Sequence, residues 1–225
     1  MLIALGYFWR ATDVAALNDE LGAVEIASGL AYLSAVAAAV VTAMKTTGLQ
    51  RWIFIGWAAL CVVFFGEETS WLQHYLGFST PEAIERINVQ GEFNLHNITT
   101  DGGSVTDAIA EGGLNWAVFI RSQNLFNAGF LFCFLAIPLA HWASTTVRRL
   151  VHAWSVPTVG LRFVACFWTP IVLSVAVGFS DPDNLTSLRA HVGETRELIY
   201  ALAISTFLAL HARAIPPSHM PRSKR

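Results

Sequence analysis

The sequence has little charge for its length. Of its 225 residues, 13% are Asp, Glu, Lys or Arg, whereas a soluble domain has about 25%. Hydrophobic residues make up 54% of the chain, and the mean hydropathy is +0.50. This composition excludes an ordinary water-soluble globule and indicates an integral membrane protein.

Other scarce features exclude further classes. The net charge of -2 provides no basic face, so we exclude nucleic acid as a partner and expect membrane lipid instead. The three cysteines lie inside apolar runs without CxxC or metal-ligand spacing, which argues against a disulfide framework. No GxSxG, HExxH, phosphate-loop or dinucleotide pattern occurs. The sequence therefore names no reaction by motif.

Five segments are long and apolar enough, or nearly so, to cross a bilayer, which takes about 20 helical residues. We predict an all-α, polytopic transmembrane helix bundle in a single domain over 1–225, with an outer loop over 78–115 and a tail over 213–225. The predicted spans lie near 21–44, 52–77, 116–143, 157–180 and 190–212.

Local signals refine this picture. The opening MLIALGYFW is too short to span. We predict a short interfacial helix there, or the end of a helix that starts upstream. Pro157 suits a helix first turn, whereas Pro138 and Pro170 fall inside spans and should kink them.

The charges separate onto two sides when the loops are labelled alternately. One side takes nine basic residues and no acidic residue, and the other takes all sixteen acidic residues with five arginines. The positive-inside rule makes the first side cytoplasmic. We therefore predict that Arg225 faces the cytoplasm and that 67–115 and 181–194 face outside.

Acidic residues and histidines gather at the predicted outer ends of the helices. Carboxylates near hydrocarbon depth are costly and mark functional sites. If the second helix continues to 77, Glu67 and His74 share a face with Ser70 and Trp71, while Glu68 points elsewhere. The candidate catalytic residues are Glu25, Glu67, Glu68 and His74.

The same cluster has the ligand types of a metal site, because carboxylates with imidazoles suit zinc, iron or manganese. A divalent metal ion is the candidate cofactor. Its candidate ligands are Glu67, His74, His191, Glu194 and Glu197. The candidate substrate-binding residues are Trp71, Gln73, Glu92, Asn94 and His96.

Structural roles stay open for several of these residues. Glu197 can pair with Arg189 or Arg196, and Glu194 can stabilise the positive end of its own helix dipole. Trp71 can belong to the aromatic belt at the interface. His74 and His96 can likewise be histidines at the membrane interface that belong to no site.

The outer loop has its own predicted structure. Ser79 or Thr80 before Pro81 indicates a capped helix start, with a short helix over 81–88. Further along, Leu95 is predicted to be buried while its polar neighbours meet the acidic cluster.

Two geometric predictions follow from the shared leaflet. Glu25, Glu67 and Glu197 should approach one another in a common cavity. If the loop folds back as a lid, Glu92 or His96 should contact the face of Glu67 and His74.

The run GEETSWLQHYLGFSTPEAIERINVQGEFNLHN resembles a pattern of uncharacterised bacterial multi-pass membrane proteins, written EExSWxQ, GFxTPE and NxQxExNLHN. The matching residues are Glu67, Glu68, Ser70, Trp71, Gln73, Gly77, Phe78, Thr80, Pro81, Glu82, Asn88, Gln90, Glu92, Asn94, Leu95, His96 and Asn97. The acidic stretch over 18–25 and the acidic start of the last helix also resemble those of these bacterial proteins. The resemblance implies a bacterial inner membrane and brings no activity with it.

Three functions fit these observations. The first is a metal-dependent enzyme, a hydrolase or oxidoreductase, acting on a lipid or isoprenoid at the outer face. The second is a cation-coupled or proton-coupled transporter, against which the lack of an evident internal repeat counts. The third is a non-catalytic scaffold or accessory subunit.

Overall fold

A computed structural model describes residues 23–86, 88, 91–95, 122–180 and 185–216. This part of the chain is helical and forms no strand, so the predicted all-α fold is confirmed. The elements are α1 (Ala23–Lys45), α2 (Gly48–Glu68), a 3₁₀ turn (Ser70–Leu72), α3 (Gln73–Leu76), α4 (Glu82–Glu85), α5 (Ser122–Leu131), a π-helical segment (Phe132–Ala136), α6 (Ile137–Ala143), α7 (Thr145–Ala153), α8 (Leu161–Ser180) and α9 (Leu185–Ala214).

Four helical stretches are long and apolar enough to cross a membrane. They are Ala23–Lys45, Gly48–Glu68, Asn124–Ala143 and Thr195–Ala214. The remaining predicted span, the fourth along the chain, corresponds to α8, which continues through Pro170 and has a shorter apolar stretch over Leu161–Leu173. The described chain therefore has the helices of a membrane protein.

Two predicted boundaries were wrong. The second span was placed over 52–77, but α2 ends at Glu68. The fourth was started at Pro157, but α8 begins at Leu161 after a non-helical stretch over 156–160. Gly160 stands directly before the helix, and its carbonyl accepts from the N–H groups of Phe163 and Val164 at 3.0 and 3.2 Å. Glycine is favourable at this N-cap position, so the helix starts after Gly160.

The first helix packs through a stripe of small side chains. Ala31, Ala35, Ala39 and Ala43 recur every four residues and are all buried. Residues four apart lie on one helix face, and small side chains there let neighbouring backbones approach closely. This stripe allows α1 to contact both α2 and α9.

Helices α1 and α9 run in parallel. The Ser34 hydroxyl lies 2.5 Å from the Ser205 hydroxyl, and Lys45 Nζ donates to the Ala212 carbonyl oxygen at 2.7 Å. Because residue numbers rise together along both helices, their N-terminal ends lie at the same end of the bundle. The C-terminal end of α2 lies there too, since α1 and α2 form a hairpin.

Aromatic side chains fill the space between α2, α5 and α9. The Phe130 ring lies 4.2 Å from Tyr200, and Phe134 meets both Trp57 and Phe207 edge-on at 6.0 and 5.3 Å between centroids. Such tilted and edge-to-face pairs add about 0.5–1.5 kcal/mol each beyond burial. They join the three helices into one core.

Pro138 widens the helix that contains it. Proline has no N–H to donate to the carbonyl four residues earlier, which is that of Phe134. The structure shows a π-helical turn over Phe132–Ala136, and the indole Nε1 of Trp168 donates to the Phe134 oxygen at 3.0 Å. A side chain of α8 thus satisfies the carbonyl that the proline leaves open.

Candidate functional site

The chain turns sharply where α2 ends. Ser70, Trp71 and Leu72 have φ angles of 46, 54 and 63°, so three successive non-glycine residues adopt the left-handed conformation. Each costs roughly 1–2 kcal/mol relative to right-handed geometry. The prediction that α2 carries Glu67 and His74 on one continuous face is wrong because of this turn.

The acidic residues at the end of α2 sit in an unfavourable field. Glu67 and Glu68 occupy its last turn, which has no basic residue. The helix dipole places partial negative charge there, which disfavours a carboxylate by about 0.3–1 kcal/mol. Helix stability alone therefore does not account for these two residues.

The turn and the residues after it form a polar assembly that we call the cap. It comprises residues 69–86, 88 and 91–95. Its centre is the hydroxyl of Ser70, which is 2% exposed. Ser70 Oγ donates to Glu92 Oε2, and Asn94 Nδ2 donates to Ser70 Oγ at 3.0 Å and to Glu92 Oε2 at 2.9 Å. Ser70 thus shares one hydrogen-bonded cluster with Glu92 and Asn94, which follow more than twenty residues later in the sequence.

The second carboxylate oxygen of Glu92 faces an imidazole. His74 Nε2 lies 2.9 Å from Glu92 Oε1, and the side chains are 28% and 12% exposed, respectively. The prediction that Glu92 contacts the residues after α2 is confirmed at His74. A continuous path of polar contacts runs from the Ser70 hydroxyl through Glu92 to His74.

Two amides fix the loop around Glu92. Asn88 Nδ2 donates to both the backbone oxygen and the Oδ1 of Asn94, at 2.9 and 2.8 Å. Its Oδ1 accepts from the backbone N–H of Glu92 at 3.2 Å. Asn88 and Asn94 are both buried. Their side-chain amides have hydrogen-bond partners and fix the position of Glu92.

Gln73 connects two other parts of the cap. Its Nε2 donates to Thr80 Oγ1 at 2.9 Å, and its Oε1 accepts from the backbone N–H of Phe93 at 2.7 Å. Thr80 was predicted to cap a helix over 81–88. Instead its hydroxyl bonds Gln73, and α4 spans only Glu82–Glu85, with no side-chain cap.

Glu67 joins α2 to the far end of the cap. Its Oε2 accepts from the backbone N–H of Leu95 at 2.6 Å, and its Oε1 accepts from Trp71 Nε1 at 3.0 Å. Leu95 was predicted to be buried, but it is 55% exposed. The bond to Glu67 is made by its backbone, which leaves its side chain facing outward.

One buried tyrosine marks the place where three helices meet. Tyr32 of α1 lies 5.6 Å from Phe64 of α2 between ring centroids, and α1 also packs against α9. At the same end, an added Cβ on Gly29 would meet Thr69 Cγ2 at 3.3 Å, so α1 and α2 approach closely there. Glu25 lies one turn earlier on α1. Helices α1, α2 and α9 thus converge around Tyr32, and whether Glu25, Glu67 and Glu197 share a cavity stays a prediction.

Several predicted site residues lie outside the described part of the chain. His96 does, and so do the side chains of His191 and Glu194. Among the described residues, no group of three or more His, Cys, Asp or Glu could hold a metal ion. His74 and Glu92 supply two such groups at a single point, and the metal site stays a prediction.

Ser70 and Asn88 were not among the candidate site residues. Both appear in the motif run, yet nothing in their spacing shows that Glu92 would join them. Their signal was the density of small polar residues in that run. Tyr32 gave no such signal, because it lies in an apolar helix.

Comparisons of the chain with protein-family models, with curated proteins and with solved structures found no match. The bacterial family that the motif run resembles therefore stays a prediction.

Proposed function

We propose that this chain is a membrane-embedded hydrolase that cleaves an ester bond of a lipid-like substrate. The active site lies at the outer face of a bacterial inner membrane, and the C-terminus is cytoplasmic. The contact path from Ser70 through Glu92 to His74 is the observation that carries this proposal. This path joins a hydroxyl, a carboxylate and an imidazole. It lies at the end of the bundle where α2 ends.

The strained turn supports a nucleophilic role for Ser70. Left-handed geometry in non-glycine residues is costly and clusters at active sites. A serine placed on a sharp, strained turn is also how other hydrolases present their nucleophile. Here the turn directs the Ser70 hydroxyl at Glu92 rather than at solvent.

The reaction balances with these groups alone. Glu92 accepts the proton of Ser70 as Oγ attacks the ester carbonyl carbon. The bond from that carbon to the leaving oxygen then breaks, and the leaving alcohol takes the proton from Glu92. Water repeats the sequence on the acylated Ser70, releasing the acid and restoring the hydroxyl.

His74 acts through Glu92 and is a positioning residue in this scheme. Its imidazole binds the oxygen of Glu92 that does not face Ser70. It orients the carboxylate toward the Ser70 hydroxyl.

A fluorophosphonate probe tests the proposal without a known substrate, because it labels activated serines. We expect label on Ser70 in detergent-purified protein and none in Ser70→Ala. Glu92→Gln should lower the labelling rate by on the order of 100-fold, as loss of a general base does. Ser34→Ala, a matched change in the span, should label as wild type does.

His74→Gln should lower the labelling rate less than Glu92→Gln does, because His74 orients the carboxylate and accepts no proton from Ser70. Its melting temperature in detergent should stay near that of wild type, which separates a positioning role from a purely structural one. Absence of label on Ser70, in conditions where a known serine hydrolase reacts, overturns the proposal.

A non-catalytic scaffold is the second candidate, and the burial of the cap favours it. Asn94 bonds both Ser70 and Asn88, and all three residues are buried. This arrangement also serves a cap that only orders a loop. Unreactive Ser70, together with a large loss of stability in Ser70→Ala, would support the scaffold.

A metal-dependent form of the enzyme rests on the pairing of His74 with Glu92. Two protein ligands with water can bind a divalent ion, although catalytic zinc sites usually have three. Metal analysis of the purified protein, with His74→Gln and Glu67→Gln beside wild type, measures this. Stoichiometric metal that His74→Gln removes would support it.

A further inference from the structure

An apolar groove of about 410 Å³ lies between α2 and α5. Its main walls are Trp57, Leu60 and Phe64 on α2, and Phe126, Gly129 and Phe130 on α5. Leu60 is about half exposed, so the groove opens at the surface of the bundle. None of the described residues that line it is charged.

The groove leads toward the cap. Phe64 and Phe126 lie 4.9 Å apart at the end nearer Glu67, and Trp57 and Phe134 lie 6.0 Å apart at the other end. Seven helical residues separate Trp57 from Phe64, which is about 10 Å. Glu67 lies less than one turn beyond Phe64.

The groove and the acidic residues also share one side of α2. At about 100° per residue, Trp57, Leu60 and Phe64 lie within a narrow stripe. Glu67 and Glu68 fall on either side of that stripe, one turn further on. A molecule lying along the groove would therefore bring its polar end to these carboxylates and the cap.

We propose that this groove binds one acyl chain of the substrate, whose head group lies at the cap. This inference rests on the proposed function and names the substrate class as an acyl lipid. The groove has the volume of a small-molecule site. A helix of a second copy, about 10–12 Å across with its side chains, is too wide for that volume over 10 Å.

Two glycines allow a matched test. Gly129 lines the groove, and an added Cβ there meets nothing within 4 Å. The Cβ of Gly129→Leu therefore fits, and the rest of the side chain would occupy groove volume. Gly56 of α2 is equally open and does not line the groove. Both changes replace glycine by a good helix former, so Gly56→Leu is the control.

The experiment uses the full chain in bilayers that contain a phospholipid with a photoactivatable diazirine on its acyl chain. After irradiation, mass spectrometry maps the adducts. We expect them to concentrate on Leu60, Phe64 and the 126–130 stretch. Gly129→Leu should lower these adducts roughly tenfold, which corresponds to 1.4 kcal/mol, whereas Gly56→Leu should not.

Other results would overturn the inference. Equal adducts in wild type and Gly129→Leu, or adducts spread evenly over all helices, would show that the groove is not a chain site. Cross-linked dimers joined at the groove would assign it to a second copy.

A small fluorophosphonate without a long chain is applied to the same samples. Ser70 labelling without groove adducts leaves the hydrolase standing and overturns the chain site. Groove adducts without Ser70 labelling leave the chain site standing and overturn the hydrolase.

Discussion

Polar side chains are used differently at the two ends of the bundle. At the end opposite the cap, cations bond the carbonyls that helices leave open at their C-termini. Lys45 donates to Ala212 O, and Arg148 donates to the oxygens of His141 and Trp142 at 3.4 and 3.2 Å. In the cap, side chains such as Ser70, Asn94 and Glu92 bond one another instead.

The difference separates residues that finish helices from residues that build a site. Cations near helix C-termini satisfy open carbonyls and oppose the helix dipole, so Lys45 and Arg148 are explained by α9 and α6. Glu67 and Glu68 also lie at a helix C-terminus, but their negative charge is unfavourable there. Their position needs another cause, and the cap that Glu67 bonds supplies one.

Among changes at the two ends of the bundle, Gly66→Leu is expected to have the largest effect on stability. An added Cβ would lie 2.8 Å from the indole of Trp71, which must leave its bond to Glu67. We expect a loss of about 1–3 kcal/mol in the free energy of unfolding, measured by thermal unfolding in detergent. Gly56→Leu is the control. A melting temperature equal in both would contradict the close approach.

A comparable effect is expected from Asn94→Ala. It removes one side chain that bonds Ser70, Glu92 and Asn88, and buried groups left without partners cost about 1–3 kcal/mol. Leu95→Ala, at the exposed neighbour, should change the melting temperature little. Equal effects of the two changes would show that the cap network adds no stability.

The smallest effect is expected at the opposite end. Arg148→Met keeps much of the side-chain length but removes the bonds to the carbonyls of α6, at an expected cost of about 0.3–1 kcal/mol. Stability measured against salt concentration checks this, because the wild-type advantage should shrink as salt rises. Arg149→Met is the control. An effect of Arg148→Met as large as that of Asn94→Ala would remove the contrast between the two ends.

The helices were predictable because they depend on local composition. Apolar runs and their lengths indicated the spans, and the π-helical turn falls where Pro138 signals an irregularity. The end of α2 was not predictable. Apolar and aromatic residues continue past Glu68 through Trp71 and Leu72, and nothing local favours a left-handed turn of non-glycine residues.

The site was predictable as a neighbourhood and not as a geometry. The motif run marked Glu67, Gln73, Glu92 and Asn94, and the contact of Glu92 with His74 followed the prediction. The central place of Ser70 did not, because it depends on which way the turn directs the hydroxyl. The bonds that decide this join residues 22 and 24 positions apart.

The left-handed turn also has a consequence for the order of folding. Its backbone cost arises at Ser70, Trp71 and Leu72, whereas the stabilising partners Glu92 and Asn94 follow more than twenty residues later along the chain. During synthesis, α2 can be complete in the bilayer while those partners are still inside the ribosome. We therefore expect the turn to form only after Glu92 and Asn94 have left the ribosome, which makes the cap a late event in the biogenesis of the protein.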